Sequence, residues 1–238
     1  YAGPVTATFT LMNQQFPSAT DTQNGMMFGA RSQGVPPAVS GELFPTMDYI
    51  SSAIPSLFSS TSSTIGQGID LTVNRAVEIF TPTYPVSQLA PQPDTSTDRI
   101  YLGDLRVRFS APVQNPVLHL VGLGGNNSGL GFTTELELTT AGVTPAFLSG
   151  DGLVVIGNNI NNSHPFLDAF TGSGAASGSV MLTGSNISQL TFKLYRRGDG
   201  GTPAWPDGGG DAFLAGNASP PPSGHAGVPP SPRRYSLK

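Results

Sequence analysis

The residues best suited to chemistry in this chain of 238 lie in one glycine-rich stretch, residues 199–211, which reads DGGTPAWPDGGGD. Asp199, Asp207 and Asp211 offer carboxylate oxygens, and the glycines between them let backbone carbonyls turn inward, which is the donor set of a Ca²⁺ site. The spacing fits neither the EF-hand loop nor the glycine-rich nonapeptide repeat. Trp205, the only tryptophan, stands in the same stretch with Pro203 and Pro206 beside it. Its ring would suit stacking on a sugar or anchoring a protein contact, and it would equally well lid the end of a core. The expected ligand-binding set is therefore Trp205, Asp199 and Asp207, with Asn126 and Asn127 of a second loop. The expected metal set is Asp199, Asp207 and Asp211, and Ca²⁺ is the one cofactor that the residues point to.

A second constellation is Glu135 and Glu137. Two residues apart on a strand, both carboxylates point to one face, as in jelly-roll glycosidases, where a separation of roughly 5–9.5 Å serves catalysis. Simple alternation of polar residues against Leu136 and Leu138 explains the pair as well. The histidines His119, His164 and His225 share no metal spacing, and the chain contains no HExxH, GxSxG, P-loop or dinucleotide motif. His119 sits inside an apolar run and reads as a satisfied core residue. Arg197-Gly198-Asp199 spells the integrin tripeptide, and Asn126, Asn161, Asn186 and Asn217 open N-x-S/T sequons, but a chain rich in Gly, Ser and Thr produces both by chance.

The elements that must hold these residues are strands. Leu105, Val107 and Phe109 alternate with Arg106, Arg108 and Ser110, the period of a strand with one buried face. Pro112 is expected to stop that strand, and Asn115-Pro116 to make the turn. Val117, Leu118, Leu120 and Val121 then form a run covered on both sides, closed by Gly122, Gly124 and Gly125. Further strands are expected at 5–12, 69–73, 76–80, 133–139, 153–156, 179–183 and 189–195. The inward set should be Phe109, Val117, Leu118, Leu120, Leu136, Leu138, Val154, Ile156, Val180, Leu190 and Phe192. The only plausible helix is 46–58, with Thr46 as cap, Asp48 in its first turn and Pro55 ending or kinking it. Residues 81–97 read as a long surface connection. The expected fold is all-β: a two-sheet, lectin-like or jelly-roll β-sandwich with at most one or two short helices. One domain spans 1–218, and 219–238 is a Pro-rich linker or tail.

The segment from Phe109 through Pro112, Val113, Asn115, Pro116, Val117 and His119 to Gly122-Leu123-Gly124-Gly125 also resembles a known family. In order after it come Thr134-Glu135-Leu136-Glu137-Leu138, Phe147-Leu148-Ser149-Gly150, Leu153-Val154-Val155, Ala176-Ser177-Gly178-Ser179-Val180, Leu190-Thr191-Phe192 and Asp211-Ala212-Phe213. Together these are similar to the lectin-like non-repetitive domain of CshA-type fibrillar adhesins, large surface proteins of Gram-positive bacteria and their actinobacterial relatives. The family's further apolar strand after Asp-Ala-Phe is blurred here into Leu214-Ala215-Gly216-Asn217. The resemblance implies a non-enzymatic adhesion module that is extracellular, on the cell surface, and part of a longer surface protein. It also implies a glycan or extracellular protein as ligand.

Composition permits this reading. Charged residues are 11%, against about 25% in a typical soluble domain. Gly (30) and Pro (22) are abundant, and 37% hydrophobic content suffices for a core. The net charge of −4 and the thin spread of basic residues recommend no nucleic-acid partner. The absence of cysteine excludes disulfides and thiolate metal sites, and no apolar run reaches the ~18 residues of a membrane span. The chain begins at Tyr1 and is expected to be a piece of something longer. Two other readings stay open: a stalk, filament or shell sandwich without a ligand, and a secreted glycoside hydrolase.

Overall fold

A computed structural model describes residues 5–17, 24–29, 43–49, 54–59, 69–127, 129–163, 175–218 and 235–237. Two sheets face each other across one core. The larger has strands β1 (Ala7–Met12), β4 (Arg99–Val113), β6 (Gly125–Asn127), β7 (Leu130–Leu138), β9 (Leu153–Ile156), β10 (Asn159–Asn162), β12 (Ile187–Gly198) and β14 (Tyr235–Leu237). Its order is β14-β1-β4-β12-β7-β10-β9, with β6 also on β7. The smaller has β2 (Met27–Phe28), β3 (Val77–Pro82), β5 (Val117–Leu123), β8 (Thr144–Asp151), β11 (Ala176–Thr183) and β13 (Gly210–Ala218), in the order β2-β3-β13-β5-β11-β8. Apart from β14, which runs parallel to β1, the pairings are antiparallel. This is the expected all-β two-sheet sandwich.

The central pair is where the alternation placed it, with two differences. β4 starts at Arg99 and continues through Pro112 to Val113. Pro112 is tolerated because β1 has already ended its pairing at Phe109, so the missing N–H faces an edge. The turn after it is locked: Asn115 takes φ 44° and exchanges two hydrogen bonds with Gly184, donating its N–H and accepting at Oδ1. β5 is buried along its whole length. Leu118, Leu120 and Leu123 point into the sandwich, while Val121 packs outside it against Met47, Phe58 and Leu71. Among the described residues, those around Met47, Phe58 and Leu71 therefore supply a cover for the smaller sheet.

Several expectations need correction. In place of a helix at 46–58 there are two 3₁₀ turns, Met47–Tyr49 and Pro55–Leu57; Pro55 opens the second, where its missing N–H costs nothing. Residues 50–53 lie outside the described residues. The expected strand at 69–73 is a turn, because Asp70 Oδ1 accepts from both the N–H and the hydroxyl of Thr72. Residues 81–97 finish β3 and form α1 (Tyr84–Ser87), the only α-helix among the described residues. β9 presents Leu153 and Val155 to the core, so Val154 and Ile156 face outward, Ile156 at 69% exposure. The blurred stretch at 214–217 lies within β13, in the middle of the smaller sheet. Of the tail, β14 seats on β1, pairing Ala7 with Tyr235 and Phe9 with Leu237; residues 219–234 lie outside the described residues.

Leu120 is fully buried at the centre of β5. Leu120→Ala should cost about 2–5 kcal/mol in denaturant unfolding; a change near zero would mean that β5 does not line the core.

Candidate functional site

The loop between β12 and β13 is organised around Trp205, which is 2% exposed. Its ring packs with Val86 of α1 and with Leu130 and Phe132 of β7. The indole Nε1–H donates to the Pro93 carbonyl at 3.1 Å, and the Trp205 N–H donates to Gln92 Oε1 at 3.0 Å. An indole so enclosed offers no face to a sugar. The expectation of a stacking platform gives way to the lid, because burying this ring is the largest apolar gain open to a loop whose other residues are all small or polar. A side chain at Gly198, which precedes the loop, would come within 2.5 Å of the Thr95 carbonyl and 3.1 Å of the indole, so the two loops meet at bare backbone.

The three aspartates do not converge. Asp207 is exposed and accepts from the Ser87 hydroxyl at 2.7 Å and Gln88 Nε2 at 2.9 Å. Asp199 is buried, with Oδ1 accepting from the Gly201 N–H at 2.9 Å. Asp211 lies between the sheets and accepts from the Gly124 N–H at 3.0 Å and the Thr134 N–H at 2.8 Å. Burial pushes the Asp211 carboxyl up, and the Arg196 guanidinium and the two amides pull it back. Among the described residues no three His, Asp or Glu side chains gather for a metal ion. The expected Ca²⁺ site formed by Asp199, Asp207 and Asp211 is corrected accordingly: each carboxylate holds a different loop or strand in place.

Trp205 nevertheless builds something. Residues 92–96, Gly200 and Pro203 line an open groove of about 500 Å³ at this end of the sandwich. Asp94 Oδ1 ties one wall by accepting from the N–H and hydroxyl of Ser96, which holds its carboxyl below the usual range. Thr95 joins the walls, its hydroxyl donating to the Thr202 carbonyl and its own carbonyl accepting from the Gly200 N–H. The β6–β7 turn is the third component: Gly129 lies against Thr202, and the Gly131 carbonyl accepts from the Asp199 N–H. Asn126 and Asn127 sit in β6 beside that turn, so the fold brings their hairpin next to residues 199–203. The part of the groove that sequence reasoning missed is residues 92–96, whose signal was the Asp94-x-Ser96 turn.

Glu135 and Glu137 do share the outer face of the larger sheet, but Arg99 clamps both. Its Nε donates to Glu135 Oε1 at 2.6 Å and its Nη2 to Glu137 Oε2 at 2.8 Å. Glu135, 2% exposed, also takes Arg197 Nη1 at 3.1 Å and Asn161 Nδ2 at 3.2 Å. The Arg99 hydrogen bond holds the Glu137 carboxyl below the usual carboxylate range. Arg99 also stacks 3.4 Å from the Tyr195 ring centre, and Tyr195 tilts against Tyr101 at 5.4 Å. A glycosidase needs one carboxyl raised so that it can act as an acid, and this environment does the opposite to Glu137.

His119 is buried, its Nδ1 paired with the Ser179 hydroxyl at 2.9 Å and its ring edge-on to Phe58. That agrees with its reading as a core residue. Asp199 of the Arg197-Gly198-Asp199 triplet is buried, so the tripeptide is not displayed. The chain matches no protein-family model, no curated protein and no solved structure.

Trp205→Ala should lower stability by about 3–5 kcal/mol, the cost of emptying a buried aromatic site, in chemical unfolding. The native indole emission should be blue-shifted and unmoved by added oligosaccharide; a red-shifted native emission would mean that the ring is not enclosed. Because the Glu137 pKa is depressed in the folded state, its stabilising contribution is present above its ordinary value of 4.5 and lost as pH falls through the lower folded value. Glu137→Gln should therefore show a constant deficit in melting temperature above that pH, a deficit that closes as pH falls and so flattens the acid limb; an unchanged acid limb would place the titration elsewhere.

Proposed function

We propose that this chain is a non-enzymatic, extracellular adhesion module that binds a glycan in the groove at the Trp205 end of the sandwich. The groove carries the reading. Its volume falls in the ~300–1,000 Å³ range of ligand sites, and its walls present Gln92, Asp94 and Ser96 from exposed positions on loops already pinned in place. A pre-organised site gives up little loop entropy when a ligand enters. Its one aspartate, Asp94, is committed to a turn, and the Glu135–Glu137 pair is bound up by Arg99, so neither of these two places sets an acid and a base for hydrolysis. Attachment to a cell surface within a longer protein follows the resemblance to CshA-type adhesins and accords with an all-β domain that lacks cysteine.

One observation favours the structural alternative, a stalk or filament unit: β14 adds a strand to the open edge of β1, the kind of contact that joins modules. Labelled protein on a glycan array, followed by chromatography of the bound glycans, separates these readings. Binding without release of sugar is expected, and Ser96→Trp, which fills the groove from an exposed position, should abolish it. Released sugar would establish a hydrolase; absence of binding to any glycan, with self-association in light scattering, would establish the structural unit.

A further inference from the structure

The basic residues that the sequence spreads thinly are gathered by the fold. Register sets Arg106 and Arg108 of β4 on the outer face of the larger sheet, opposite Thr10 and Thr8 of β1 and Thr191 and Gln189 of β12. Lys193 follows on the same face, opposite Asp104. Arg99 and Arg197 lie there too, neutralised by Glu135 and Glu137. Among the described residues, Arg99, Arg106, Arg108, Lys193 and Arg197 thus lie on this face, with Asp104, Glu135 and Glu137 as its acidic ones. Basic residues outnumber acidic ones there, although the chain as a whole is at −4.

In the half of the face bordering β1, Arg106, Arg108 and Lys193 form no ion pair among the described residues, although Lys193 Nζ rests 5.6 Å from the Tyr101 ring centre. Asp104 is taken up by the Tyr101 hydroxyl at 2.7 Å and Asn13 Nδ2 at 2.6 Å. Arg108 meets only the neutral Gln189, at 3.0 Å. The buried Nε of Arg106 has no hydrogen-bond partner among the described residues. That orphan donor is a cost the fold carries at this strand, and no ion pair neutralises the guanidinium beside it among the described residues. We propose that this face, centred on Arg106, Arg108 and Lys193, docks an acidic polysaccharide, a chain bearing sulfate or carboxylate groups, separately from the groove at the Trp205 end. Arginines two apart on one strand stand ~7 Å from each other, a spacing that engages successive charges of an extended polyanion. The neighbouring threonines and the half-buried rings of Tyr101 and Tyr195 suit sugar hydroxyls and ring faces. An acidic protein fits less well, because the face lacks an apolar centre; its one largely exposed hydrophobe, Ile156, lies on the far rim.

The test is calorimetry of the full chain with dextran sulfate, polygalacturonate, neutral dextran and duplex DNA of matched length at about 50 and 200 mM salt. The anionic polysaccharides should bind at low salt and weaken at high salt, while neutral dextran should not bind. Arg106→Gln with Arg108→Gln should weaken the anionic polysaccharides about tenfold or more at low salt, since two charge-assisted contacts are lost. Its melting temperature should stay near wild type, and Ser96→Trp should leave this binding intact. Three results would overturn the proposal: no binding of either anionic polysaccharide, binding indifferent to the double substitution, or duplex DNA bound as tightly as dextran sulfate. Loss of binding in Ser96→Trp would assign the polyanion to the groove instead.

Discussion

Arg196 is the one full positive charge that the sandwich places between its sheets. It is fully buried at the end of β12, with Nη2 donating to the carbonyl and hydroxyl of Thr81 on β3 and its guanidinium 4.7 Å from the Phe132 ring centre. The Thr81 hydroxyl meets that of Thr134 at 2.7 Å, and the Thr134 N–H donates to Asp211 on β13. Two strands of each sheet are thereby tied through polar groups buried from solvent. Burial lowers the Arg196 pKa, and the Asp211 charge works against that shift. Arg196 and Asp211 form no direct ion pair, so each buried charge leans on hydrogen bonds to neutral groups, and removing those partners would leave it costly. The effect of this network is to specify: the placement of β7 and β12 over β3 and β13 is the one that gives Arg196 Nη2 and Asp211 their partners, while Arg196 Nε and Nη1 have none among the described residues.

That placement sets the end of the molecule where the loops meet. Asp211 receives the Gly124 N–H, which leads into β6, and β6 leads into the turn that abuts residues 199–203. Trp205 then fills the space over Phe132 and Val86. The groove is therefore an outcome of packing beneath it, and its walls need little of their own to stay in position.

The two outer faces differ for a related reason. The smaller sheet is covered by Met47, Phe58 and Leu71, so its outward Val121 and His119 are buried. Among the described residues the larger sheet has no such cover. Its outward positions are mostly polar, and several satisfy each other: Arg99 with Glu135 and Glu137, Tyr101 with Asp104. The bulge that sets Leu194 opposite Gly103 but Tyr195 opposite Tyr101 puts both Tyr101 and Asp104 outward, three residues apart, and so permits the last of these contacts. A side chain at Gly103 would strike the end of Met26 and lie 2.9 Å from the Met12 carbonyl, so glycine is required at that bulge.

What the sequence determined by itself was local. Alternation in Leu105, Val107 and Phe109 marked β4, the continuous run from Val117 marked a strand buried on both faces, and Asn115 marked the turn, because each depends on neighbours within a few residues. Short strands without a clear period, β8 and β10, and β13 with its glycines, were not legible. The sense of β9 was misread because a one-residue change of register exchanges its two faces. Partnership was decided only by the tertiary structure. Arg99 is 36 residues from Glu135, Trp205 is 112 from Pro93, and Arg196 is 115 from Thr81. Side chains so far apart meet only through strand order, which composition and periodicity do not encode. The same strand order dispersed the aspartates of the 199–211 loop, enclosed its tryptophan, and drew scattered arginines onto one face.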